Sequence, residues 1–156
     1  MIKTLYGQHK VKGYRFGIIA SCFNDFITKR LLNGCLKELA RLGVKENQIT
    51  VVWVPGSFEI PLTAQTLARQ KSIDCVICLG AVIRGETLHF DLIARAVSQG
   101  IAQVALTAKK PVIFGVLTTD TVDQAYKRSG VKGNNKGVDA AKAAVEMASL
   151  LKQLSK

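Results

Sequence analysis

The chain has 156 residues, 48% hydrophobic and 21% charged, a balance that suits one folded domain with its own core and excludes a disordered chain. No apolar run is long enough to span a bilayer, and the opening stretch MIKTLYGQHK has neither the apolar centre nor the cleavage site of a secretion signal, which points to the cytoplasm. A net charge of +11 raises nucleic acid as a partner, but the basic residues are scattered and aromatics make up only 6%, so the charge reads as a solvated surface around a site for a small anion.

In chain order, the first 12 residues carry neither helical nor strand period. They read as an extended arm, either loose or added to a neighbour's sheet edge. RFGIIAS (15–21) is a short apolar strand. From Ile27, apolar residues recur at Leu31, Leu32, Cys35, Leu36 and Leu39 with helical spacing. The glycine of LGV (42–44) ends that helix. ITVVWV (49–54) is a second strand, stopped by PGS. Residues 58–70 read as a helix, with Pro61 tolerable in its first turn. DCVICLGAVI (74–83) is a third strand, residues 88–108 a helix, and PVIFGVLTT (111–119) a fourth strand. TVDQAYKRSG is a short helix, VKGNNKG a loop, and residues 138–154 an alanine-rich final helix.

Strands without polar alternation are usually covered on both faces, as in parallel sheets. Their alternation with helices predicts an α/β fold: a three-layer α/β/α sandwich on a four-stranded parallel sheet, flavodoxin-like. No repeat or linker divides the chain, so residues 1–156 read as one domain with residues 1–12 as its arm.

The cysteines are Cys22, Cys35, Cys75 and Cys78. The last two form a C-x-x-C, but strand residues three apart point to opposite faces, so neither a chelate nor a disulfide is expected. No histidine spacing supports a metal site. All four read as small buried apolar residues.

Ligands of open parallel sheets bind beyond the carboxyl ends of the strands. That rule selects SCFND, PGSFE, RGETLHF and TTDT. Gly85 permits close backbone approach, Thr87 can cap the next helix, and the helix N-terminus offers N–H groups to an anion. A capped helix on a tight turn would use the same residues without any ligand. His89 follows in the first turn, and its ordinary pKa of about 6.5 suits proton transfer. His9 has no such context. Phe23, beside Asn24, could stack on a planar ring; alone, it reads as loop packing. Glu59 could accept bonds from polyol hydroxyls; alone, it reads as a first-turn acid that complements the helix dipole. Lys127, Arg128, Lys132 and Lys136 crowd one loop, where a guanidinium could grip phosphate; alone, they read as solvated charge. Neither a P-loop nor a dinucleotide fingerprint is present.

In this order, FNDFIT (23–28), WVPGSFEIP (53–61), GAVIRGETLHF (80–90), GIAQVA (100–105), PVIFGVLTT (111–119) and NKGVDAA (135–141) closely resemble the lumazine synthase family. The resemblance implies condensation of 5-amino-6-ribitylaminouracil with 3,4-dihydroxy-2-butanone 4-phosphate, the penultimate step of riboflavin biosynthesis. The products would be 6,7-dimethyl-8-ribityllumazine, phosphate and water, with no metal or organic cofactor. It further implies that Phe23 and Asn24 meet the pyrimidine, and that Ser57, Phe58 and Glu59 hold the ribityl chain. Ala81, Val82 and Ile83 would line the ring pocket, and Gly85, Glu86 and Thr87 would receive the phosphate through main-chain N–H groups. His89 would shuttle protons. Phe114, Arg128 and Lys136 would come from an adjacent subunit, with Arg128 on the phosphate.

The resemblance implies a homo-oligomer as well: a pentamer, or a sixty-subunit shell of pentamers, with the arm on a neighbour's sheet and riboflavin synthase as a candidate partner. The short loop SGVKGNNKG favours the shell. No specific nucleic acid and no membrane partner is implied. Cys22, Leu92, Arg95 and Asn134 depart from the family's common pattern; asparagine tolerates the left-handed backbone that glycine often supplies at that last position. Two other classes compete. A flavodoxin-like module could bind a flavin or phosphate ligand without turnover, and lumazine fluorescence from the two substrates would discriminate. A basic nucleic-acid binder would show a salt-dependent shift with nucleic acid.

Overall fold

The computed structural model describes residues 1–10, 13–130 and 133–156. Four apolar segments form parallel strands: β1 (Phe16–Ser21), β2 (Ile49–Val54), β3 (Cys75–Ile83) and β4 (Val112–Thr119), in the order β2-β1-β3-β4. Five helices connect and cover them: α1 (Asp25–Arg41), α2 (Ile60–Ala68), α3 (His89–Ala108), α4 (Val122–Lys127) and α5 (Lys136–Leu154). One core, beneath α1, α4 and α5, joins Ile27, Leu31, Ala125 and Ala144 to Ile18 and Ile77. The other, beneath α2 and α3, joins Ala64, Val97 and Ile101 to Ile19 and Val76. This is the flavodoxin-like sandwich that the strand–helix alternation predicts. Cys75 belongs to the first core and Cys78 to the second, as the period of a strand requires.

The central strand β1 is wholly buried and β3 nearly so. The edge strands depart from the expected two-sided cover, because the helical layers stop short of the sheet's edges. Val51 and Trp53 of β2 are 36% and 41% exposed, and Phe114 of β4 is 45% exposed. Open edges bearing large apolar groups are templates for another chain.

Local chemistry sets the helix ends. Gly43 takes the left-handed conformation (φ +94°) just past α1, where glycine carries no Cβ penalty. α5 begins at Lys136, two residues before the expected start, because Asn135 caps it. Its side-chain oxygen accepts from Gly137 N–H (2.8 Å) and Val138 N–H (3.3 Å), while its amide nitrogen donates to the Arg30 and Gly130 carbonyls. Among the described residues of this loop, Gly133 and not Asn134 is left-handed; Val131 and Lys132 lie outside the described residues. α1 and α5 approach so closely that a Cβ on Gly137 would meet the Leu31 backbone, at 2.7 Å from its carbonyl carbon.

Residues 1–10 form no strand or helix. They run antiparallel to α5: Gln8 N–H donates to Ser149 Oγ (2.6 Å), and Gln153 Nε2 donates to the Tyr6 carbonyl (2.8 Å). Among the described residues, no helix is long and apolar enough to cross a membrane.

Candidate active site

The cleft originates in unequal strand lengths. β1 pairs with β3 only as far as Ala20 opposite Leu79, whereas β3 continues along β4 to Ile83 opposite Thr119. Beyond Gly80, which still lies beside Ser21 of β1, Ala81–Ile83 have no strand on the β1 side. The gap lies where the strand order reverses, the usual ligand position in a doubly wound sheet. It opens into a cleft of about 460 Å³, a volume suited to one small-molecule ligand.

Three further segments wall this gap. Phe23 and Asn24 come from the turn after β1, and Ser57, Phe58 and Glu59 from the 3₁₀ turn after β2. Gly85, Thr87 and His89 come from the turn into α3. Ala81, Val82 and Ile83 form the floor. Asn24 adopts the left-handed conformation (φ 60°), and its amide nitrogen donates to the Ala81 carbonyl at 2.9 Å, tying the first turn to the floor. Phe23 donates its N–H to the Pro55 carbonyl, while its ring stands 71% exposed at the mouth. Packing the loop down is thus not what this ring does. Glu59 accepts from Gly56 N–H at 3.0 Å, so its carboxylate steadies its own turn and still borders the cleft.

His89 is exposed, in the first turn of α3. Its N–H donates to Thr87 Oγ1 at 3.3 Å, so Thr87 does act at the helix start, one position before Leu88, the capping residue. Among the described residues, the N–H groups of Gly85, Glu86, Thr87 and Leu88 make no hydrogen bond. These free donors, at the start of a 20-residue helix, are what an anion needs. Glu86 is exposed on the turn but does not line the cleft.

Phe114, Arg128 and Lys136 are absent from this cleft. They meet instead along the outer edge of β4, in a recess of about 400 Å³ that also includes Thr118 and Asp139. Lys136 pairs with Asp139 at 3.3 Å, and Arg128 donates to the Gln124 carbonyl at the end of α4. Lys127 pairs with Asp123 on the exposed face of α4. Among the described residues, no lysine or arginine lines the cleft itself.

The expectation that all four cysteines are buried fails at Cys22, which is exposed. It lies just beyond β1, where its N–H still bonds to the Val54 carbonyl but the layers no longer cover the chain. Burial pushes the Cys35 thiol up to about 12 and raises those of Cys75 and Cys78 well above the ordinary range. Among the described residues, no group of three metal-binding side chains gathers.

Sequence motifs do not single out Arg84, whose side chain lies between Asp120 and Asp91 outside the cleft. Nor do they single out Gly80, buried beneath Ser21 and Ser57. An arginine beside a glycine turn, with acids at two neighbouring element ends, was the available signal for the first. No pattern marked the second.

A family model described as 6,7-dimethyl-8-ribityllumazine synthase matches residues 13–152, a span that contains the sheet, the cleft and the β4 recess. The chain belongs to the 6,7-dimethyl-8-ribityllumazine synthase family, transferases that form the lumazine of riboflavin biosynthesis.

Proposed function

We propose that this protein condenses 5-amino-6-ribitylaminouracil with 3,4-dihydroxy-2-butanone 4-phosphate, as a cytoplasmic homo-oligomer whose sites lie between subunits. The observation that carries this reading is the cleft: an exposed ring, a polyol-sized polar wall, a turn of free N–H donors and an imidazole share one rim. The substrate's amine attacks the ketone, water leaves, and an imine forms. Phosphate is then eliminated, and ring closure releases a second water. The nucleophile belongs to the substrate, so no activated protein side chain is required. The protein's work is positioning, proton transfer and stabilisation of departing phosphate.

In this reading Phe23 stacks on the pyrimidine, with Asn24 holding the turn beneath it. Ser57, Phe58 and Glu59 hold the ribityl chain, and Ala81, Val82 and Ile83 present backbone groups to the ring. Gly85, Glu86 and Thr87 receive the phosphate, and His89 relays protons. Among the described residues, no lysine or arginine lines the phosphate end of the cleft. Three carboxylates, Glu86, Asp91 and Asp120, lie about the turn with the guanidinium of Arg84, which pairs with two of them. A phosphate needs positive charge from elsewhere. Arg128, gathered with Phe114 and Lys136 on an open sheet edge, is suited to supply it to the next copy, with Phe114 and Lys136 meeting the pyrimidine and ribityl chain there.

Mixing the two substrates with the protein tests the reading: lumazine fluorescence and phosphate should appear together. Ligand binding without fluorescence would replace it with a non-catalytic flavin- or phosphate-binding module. Light scattering separates a pentamer from a sixty-subunit shell. Co-sedimentation with riboflavin synthase tests that association.

A further inference from the structure

Arg84 does not line the cleft, yet its side chain clasps the turn that does. Its N–H donates to the Thr119 carbonyl at 2.8 Å, fixing the end of β3 against the end of β4. Its Nε donates to Asp120 Oδ1 at 2.8 Å. Its Nη1 reaches both oxygens of Asp91, at 3.2 and 3.3 Å, in the first turn of α3. The guanidinium also lies 4.3 Å from the centre of the Phe90 ring. Asp120 is itself held, since its N–H donates to Gln124 Oε1 at 2.8 Å.

One planar group thus joins the point where residues 85–88 leave the sheet to the point where they enter α3. Between those anchors, among the described residues, the turn makes only the Thr87–His89 bond and the bond from Leu92 N–H to the Leu88 carbonyl. Among the described residues, no further hydrogen bond sets the direction of its free N–H groups.

We propose that Arg84 is a positioning residue for phosphate recognition: it holds the 85–88 turn so that its N–H groups converge, and it does not itself touch the phosphate. This rests on the reading that the turn receives the phosphate substrate. Nε and Nη1 of the guanidinium are already engaged by two carboxylates, Asp120 first, which keep it firmly charged. The task requires the fork of an arginine. Two nitrogens of one rigid plane address acids on two different elements, a geometry that a lysine ammonium cannot reproduce.

The test compares Arg84→Lys and Arg84→Gln with the wild-type chain. Both variants should raise the KM for the butanone phosphate, and the inhibition constant of inorganic phosphate, by about tenfold. The KM for the pyrimidine should stay within about twofold. Hydrogen exchange should quicken at residues 85–89 and not in β1 or β3. Restoration of wild-type phosphate affinity by Arg84→Lys would show that charge alone matters and would overturn the proposal. So would equal losses for both substrates, or unchanged exchange at the turn. If the wild-type chain makes no lumazine, the reading of its function fails separately. Titration of wild-type and variant chains with inorganic phosphate still decides the role of Arg84.

Discussion

Alanine at Gly80 probes how packing inside the sheet controls the floor of the cleft. Gly80 lies on β3 beneath two hydroxyls. A Cβ there would stand 2.7 Å from Ser21 Oγ, 2.9 Å from Ser57 Oγ and 3.4 Å from Ile60 Cδ1. The first two distances are too short to persist, so both hydroxyls must move. Each is the end of a short side chain that a single χ1 rotation can turn aside, and no backbone atom is struck. The cost in stability therefore sits at the low end for overpacking, about 1 kcal/mol. For a chain of this length that is a fall in Tm of about 2–4 °C. The loss in binding is of another kind. Ser57 borders the cleft, and on the proposed reading rotating its hydroxyl would remove one neutral hydrogen bond from the ribityl chain. Such a bond is worth about 1 kcal/mol, a weakening of roughly fivefold. A double-mutant cycle isolates the effect: Ser57→Ala alone should weaken pyrimidine binding by the same amount, and Gly80→Ala with Ser57→Ala should be no worse than either. Calorimetric titration of the pyrimidine into chains first shown to be folded gives the readout. Additive losses, or wild-type binding by Gly80→Ala, would refute the reasoning.

Four further outcomes are expected. His89→Ala should slow turnover by about a hundredfold without abolishing it, since positioning by the rest of the cleft survives; complete loss in a folded variant would mean that proton transfer carries more of the rate. Arg128→Ala should weaken the phosphate substrate far more than the pyrimidine in binding titrations, and equal losses would remove Arg128 from the phosphate. Gly137→Ala should lower the Tm at fixed protein concentration, because a clash with the Leu31 backbone outweighs the helix propensity gained, about 1 kcal/mol; an unchanged Tm would refute the close α1–α5 contact. The buried thiols should make the fold sensitive to alkali. Their folded pKa values lie above those of the unfolded chain, so stability is full below pH 9.0 and declines as pH rises toward about 12, the value for Cys35. The urea midpoint should fall over that window, less steeply in Cys35→Ala, and identical slopes would count against it.

What could be read from the residues followed the strength of the local signal. The central strands are unbroken apolar runs with helices between them, and such runs have few other uses. The rule for parallel sheets then located the cleft, because it depends on topology and not on any single residue. Other features depend on partners far apart in sequence. Arg84 gains meaning only when Asp91 and Asp120 converge on it, and Gly80 only when Ser21 and Ser57 lie above it. Cys22 looks buried in sequence because it directly follows a wholly buried strand, whose cover ends one residue earlier. The true start of α5 is hidden in sequence because Asn135 looks like any loop asparagine until its four hydrogen bonds are drawn. The path of residues 1–10 along α5 rests on side-chain contacts that no periodicity announces.

The overhang of β3 past β1 acts as a ruler. Ala81–Ile83 extend beyond the end of β1, and at roughly 3.3 Å per residue they measure out about 10 Å. The length of the cleft floor is thereby written into the difference between two strands, and no loop needs to encode it. Adding one matched pair to β1 would shorten the berth by about a third. A scaffold of this design can be resized for longer or shorter guests by trimming strands, with its reactive groups left in place.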